Sequence, residues 1–239
     1  METKTRLALA AAVVAALTAA APAHATLTVS GSVGGAPSGV ILDNLNWLAT
    51  GSAGGLSPQS GITVNFSGNA KAVTGAVGGQ YAAPYLSGGN GTGFGSPNQP
   101  NGVDTTVYAT SGSTGASSSA AVEILLPSNG GAGYQYFGLL WGSVDGYNTL
   151  SFYDGANLVG SLTGGNVLAA PNGDQGVNGT LYVNIFSSLA FDRVVATSSQ
   201  YAFEFDNLAF NRTEVPEPGT LALLGLGLAG LGLRRRRKA

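Results

Sequence analysis

Between residues 26 and 214 the apolar positions recur in short alternating runs broken by Gly, Asn, Ser and Pro. Ile62, Val64 and Phe66 alternate with polar neighbours, the spacing of a strand with one buried face. Comparable runs lie at residues 27–29, 40–48, 103–109, 120–126, 149–153, 158–162, 180–186, 192–197 and 201–210. Residues 70–77 are expected to pair with the 62–66 strand across Ser67-Gly68-Asn69. Asp154-Gly155 marks a second hairpin. Residues 134–141, YQYFGLLW, form the most apolar stretch. Residues 80–102 are rich in Gly, Asn and Pro and read as a long loop. No window in this region keeps a helical period. Roughly ten to twelve short, evenly spaced strands predict an all-β fold, a single antiparallel β-sandwich of jelly-roll type. In the last run, Tyr201, Phe203, Phe205 and Asn207 fall on one face and Ala202, Glu204, Asp206 and Leu208 on the other, unless a bulge intervenes. The triplet Asp-Asn-Leu occurs at residues 43–45 and 206–208, which suits first and last strands lying side by side.

The two ends read differently. Lys4 and Arg6 precede an apolar run over residues 7–21, and Ala23-His24-Ala25 forms an A-x-A site. Residues 1–25 are therefore expected to be a signal peptide cut by signal peptidase between Ala25 and Thr26, with Ala23 and Ala25 read by the enzyme. At the other end VPEPGT, from Val215, is followed by a run of Leu, Ala and Gly over residues 221–233 and by four arginines and a lysine. From Gly219 the apolar run is about 15 residues, or roughly 22 Å of helix, short for a bilayer core of about 30 Å. Snorkelling basic side chains and local thinning would accommodate it, with the basic end on the cytoplasmic side. Pro216 and Pro218 hold Glu217 in an extended peptide that cannot continue the helix behind it. Gly225, Gly227 and Gly230 spell GxGxxG, but no strand–turn–helix unit accompanies them.

This arrangement of Pro216-Glu217-Pro218, apolar span and arginine cluster resembles the PEP-CTERM sorting signal of bacterial surface proteins. The resemblance covers about the last 25 residues. It implies recognition of Pro216, Glu217 and Pro218 by an exosortase, a membrane transpeptidase-like enzyme, then removal of the tail and transfer from the inner membrane to the cell surface or extracellular matrix. The predicted organisation is thus a signal peptide (1–25), a β-sandwich domain (26–213), and a PEP motif with a short transmembrane helix and basic end (214–239). The stretches YFGLLWGSVDGYNTLSFYDG and AFEFDNLAF also resemble one group of exosortase-dependent surface proteins, which supports the sandwich and implies no activity.

Charge and composition narrow the function. Residues 26–214 hold ten acids against three bases, Lys71, Arg193 and Arg212, a net charge of −7 that the basic tail masks in the whole-chain value of −2. Three scattered cations make no footprint for nucleic acid. There is no cysteine, and the single histidine, His24, lies in the signal peptide. Ser–His–Asp triads, Cys–His nucleophiles and the usual zinc sites are excluded for the domain. No cofactor is expected unless it is calcium, for which Asp43 and Asp206 are the pair to examine, against the bland alternative of strand-end acids bonding to loop amides. Trp141 and Tyr147 are candidate glycan contacts, although a Trp inside an apolar run is ordinarily core. Asp145 with Asp154, or Glu204 with Asp206, are the carboxylate pairs that a glycoside hydrolase would need. The expected function is a structural or adhesive, non-catalytic surface domain. The alternatives are a carbohydrate-binding module for exopolysaccharide and a carboxylate-dependent hydrolase.

Overall fold

The computed structural model describes residues 25–32, 34–94, 98–112, 120–128 and 133–212. Ala23, Pro216, Glu217, Pro218 and the expected membrane helix lie outside these residues. Among those described, no helix is long and apolar enough to cross a membrane.

The first strands are β1 (Leu27–Ser32), β2 (Ile41–Asp43), β3 (Gly54–Leu56), β4 (Thr63–Ser67), β5 (Lys71–Val73), β6 (Tyr85–Leu86), β7 (Gly102–Val103) and β8 (Tyr108–Ser111). Then come β9 (Ala121–Leu125), β10 (Tyr134–Gly142), β11 (Asn148–Asp154), β12 (Asn157–Thr163), a single helical turn α1 (Gly164–Val167), β13 (Leu181–Phe191), β14 (Arg193–Ser198) and β15 (Phe203–Asn211). The fold is all-β, and its strand pairs are antiparallel. One sheet runs β1-β13-β10-β15-β8-β5, with β2 also on β15; the other runs β12-β11-β14-β9-β4-β3; β6 and β7 form a small ribbon. From β8 onward the chain changes sheet at every connection except β11 to β12.

The two sheets face each other across one core. Phe137, Trp141, Phe203 and Phe205 come from the first sheet, and Ile124, Leu150, Phe152 and Val194 from the second. Phe152 meets Phe137 edge-on at 6.1 Å across the layers and Phe191 at 5.0 Å. The alternation read at residues 62–66 puts Val64 into this core. The expected hairpin with residues 70–77 does not form. After a turn at Gly68 (φ 61°) the chain crosses to the opposite layer, where β5 pairs with β8 and Ala72 enters the same core from the other side. Of residues 40–48 only 41–43 are strand, because the Asp43 carboxylate captures the Leu45 N–H and the Trp47 Nε1–H and bends the chain away. That short strand lies beside β15, with Asp43 opposite Leu208, so the two Asp-Asn-Leu stretches are neighbours, although the first strand itself lies beside β13 and not beside the last.

Residues 80–94 and 98–102 are not a free loop. β6 and β7 pair within them, and Leu86 and Phe94 pack with Tyr136, Leu140, Tyr182 and Ala209 on the outer face of the first sheet. β10 and β15 are consequently covered on both faces, which is why YQYFGLLW reads as a continuous apolar run rather than an alternating one. In β15 the alternation breaks at Asn207, whose φ of 51° marks a bulge opposite a register shift in β10 between Gly138 and Leu140. Leu208 therefore joins Phe203, Phe205 and Phe210 in the core instead of lying with Glu204 and Asp206.

Candidate functional site

Strand alternation sends Glu204 and Asp206 out of the core between the sheets, onto the face covered by the segment that carries Ala82, Leu86 and Phe94. Two buried acids thus lie one pleat apart beneath a covering segment. A third, Asp43, stands on the neighbouring strand β2, also fully buried. Among the described residues, three non-glycine residues have positive φ, and each adjoins one of these acids. Leu45 (55°) donates its N–H to Asp43, Ser143 (40°) donates its hydroxyl to Glu204, and Asn207 follows Asp206. Backbone held in the left-handed region marks places where local structure is over-determined.

Asp43 is fully engaged. Its Oδ1 accepts the Leu45 N–H and the Trp47 Nε1–H, each at 2.9 Å, and its Oδ2 accepts the hydroxyls of Ser57 and Ser60. Four donors on one carboxylate leave no open coordination position, so Asp43 is a turn-forming acceptor. Asp206 is the opposite case. It is 0% exposed, and neither oxygen receives a hydrogen bond of normal geometry. Burial first, then the neighbouring Asp104, push its pKa well up, and the nearby Asn207 N–H opposes the rise.

Glu204 forms the floor of an open pocket of about 280 Å³. Its Oε1 accepts the Ala82 N–H at 2.9 Å and its Oε2 the Ser143 hydroxyl at 3.0 Å. Burial still raises its pKa to about 7, with Asp145 adding to the rise and the two hydrogen bonds opposing it. Asp145, Tyr147, Gln175 and Tyr201 line the walls. The Tyr147 hydroxyl lies 2.8 Å from Asp145 Oδ2 and 2.6 Å from the Tyr201 carbonyl, so it ties the β10–β11 turn to the approach of β15. Burial also raises the Asp145 pKa, and the Tyr147 hydrogen bond restrains it. None of the lining residues is Lys or Arg.

The sequence-derived candidates separate here. Tyr147 lines the pocket. Trp141 is 0% exposed and stacks on Phe203 at 4.4 Å inside the core, so it offers no face to a ligand. Asp145 and Asp154 flank the full length of β11, about 20 Å of strand, and form no pair. The pocket instead unites Asp145 with Glu204, a combination that no local motif signals because they come from different turns and strands. Ala25, at the expected cleavage site, donates its N–H to Val159 O at 3.1 Å. β1 begins two residues later.

A second groove, of about 360 Å³, lies on the second sheet, where Arg193 bonds Glu123 at 2.9 Å and rests over the Tyr153 ring. Its charges neutralise one another. Among the described residues, no three acidic, histidine or cysteine side chains converge as a metal cluster.

No curated protein matches the chain. Residues 214–237 match the family model of the PEP-CTERM protein-sorting motif. The chain therefore carries a PEP-CTERM sorting signal, which implies processing by an exosortase and export to the cell envelope or surface.

Proposed function

We propose that this chain is a surface or extracellular-matrix protein whose domain does structural or adhesive work and no catalysis. The carrying observation is the sorting-motif match at residues 214–237. In this reading the apolar tail holds an inner-membrane intermediate until the exosortase cuts it. The domain is read as a jelly roll. The order β8-β15-β10-β13 opposite β9-β14-β11-β12, with sheet changes at all but one connection, supports that reading, since it is the order two wrapped Greek keys produce. The lack of histidine and cysteine between residues 26 and 214 supports a non-catalytic role. Deleting residues 216–218 should leave the protein in the inner membrane, measured by cell fractionation. Normal surface release of the deletion variant would refute the sorting role.

One observation favours carbohydrate binding as a second reading. The Glu204 pocket combines carboxyl and amide groups with the rings of Tyr147 and Tyr201, the mixture that recognises sugar hydroxyls and sugar faces. Its acidic lining favours neutral or amine-bearing sugars over uronic acids. Neutral bacterial exopolysaccharides should bind at millimolar concentration, and Tyr147→Ala should weaken binding at least about tenfold, the effect of losing roughly 1.4 kcal/mol. Absence of binding across a polysaccharide panel at that concentration would remove this reading.

A further inference from the structure

The acids beside β15 leave one electrostatic problem unsolved among the described residues. Asp104 presses its carboxyl within hydrogen-bonding reach of Asp206. Its Oδ1 is well supplied, by Gln99 Nε2 at 2.7 Å, the Thr106 N–H at 2.8 Å and the Thr106 hydroxyl at 2.9 Å. Its Oδ2 has no donor, and both oxygens of Asp206 are likewise unpartnered. Two carboxylates are both acceptors, so proximity satisfies neither. Asp104 is 1% exposed, so water does not relieve the pair from that side.

Among the described residues no cation pairs with these acids. Lys71 sits over the Tyr81 ring, Arg193 is paired with Glu123, and Arg212 bonds the Pro127 carbonyl and the Tyr134 hydroxyl. Asp43 adds further negative potential at Asp206. Beside the pair, Asn207 Nδ2 donates to the Asn90 carbonyl at 3.2 Å and clamps the Ser87–Asn90 turn onto β15. In that turn Ser87 Oγ is buried and unpartnered as well. Asp104 Oδ2 and both oxygens of Asp206 are therefore left without donors, and buried charge of this kind is stable only when it is paired or coordinated.

We propose that Asp104 and Asp206 hold a divalent cation, calcium by the chemistry of the donors, between β15 and the segment that covers it. The available ligands are oxygens alone, which selects a hard cation. Two carboxylates match its charge. The Ser87 hydroxyl, main-chain carbonyls of the same turn and water are the neutral donors that such sites recruit. The ion would staple residues 84–94 and 98–107 to the sheet, and extracellular calcium would fill it after export. A single proton shared by the two carboxyls is the competing solution. It would bridge the pair and leave Ser87 Oγ unpartnered.

Calorimetric titration of the chelator-treated full-length chain with calcium chloride separates the two. The expected result is one saturable site with Kd about 10⁻⁴–10⁻³ M, the range of extracellular modules. Asp104→Asn and Asp206→Asn should each weaken it at least tenfold, while Asp154→Asn, at an exposed turn, leaves it unchanged. No saturable heat up to about ten times the upper end of that range, or a site that survives both substitutions, would overturn the proposal. Hydrogen exchange on the wild-type chain gives a readout that needs no variant. Added calcium should slow exchange in residues 84–94 and 98–107, and identical exchange with calcium or chelator would also overturn it.

Discussion

Burial outweighs two good hydrogen bonds at Glu204, and the consequence is a pH-dependent stability. Its pKa is raised from 4.5 to about 7, so the folded chain binds the proton more tightly than the unfolded chain does. The associated stability is fully present below about 4.5 and is lost as pH rises through about 7. Over that window the loss is about 3 kcal/mol. Glu204→Gln keeps an acceptor for Ala82 and removes the titration. In chelator, the variant should match the wild type near pH 5 and unfold at higher temperature near pH 8; an unchanged gap across that range would contradict the assignment. At this scale the sequence was informative only where context was local. Asp43 and Asp206 stood out through their shared triplet, and Tyr147 through its turn. Asp145 and Glu204 were singled out only in other pairings, with Asp154 and Asp206, and Asp104 not at all, because the partners the fold gives them arrive from distant segments. Trp141 carried a signal for core and a signal for ligand contact, and only the packing against Phe203 decides between them.

Among the elements, β11 and β15 carry the most consequence. Phe152 of β11 is fully buried and contacts Phe137 and Phe191, so it couples the second sheet to the first. Phe152→Ala should cost about 3–5 kcal/mol through lost transfer energy and the cavity left behind. Urea denaturation is the measurement, with a lower midpoint and an unchanged slope expected. The alternation of β15 was legible up to Asp206. The bulge at Asn207 was not, because it answers the register of β10 around Gly138, where a Cβ would collide with the Tyr136 and Tyr182 hydroxyls. Residues 80–102 were read as loop for a related reason. Gly, Asn and Pro mark turns equally well whether the segment stands free or lies across a sheet, and the buried Leu86 and Phe94 are too sparse to set a period.

For the whole molecule, the sequence spoke most clearly about destination. The all-β character followed from short alternating runs, and the sorting signal from an ordered set of residues near the C-terminus. The work of the domain was less legible, since a pocket is a property of loops brought together by the fold. A domain of net charge −7 with a covered acidic face is expected to take up cations and neutral polymers in preference to polyanions. The account as a whole rests on removal of the tail, which the intact mass of the exported protein tests directly. That mass should correspond to a chain beginning at Thr26 and lacking the apolar and basic segment after Pro218, whereas exported protein that still carries residues 219–239 would contradict it.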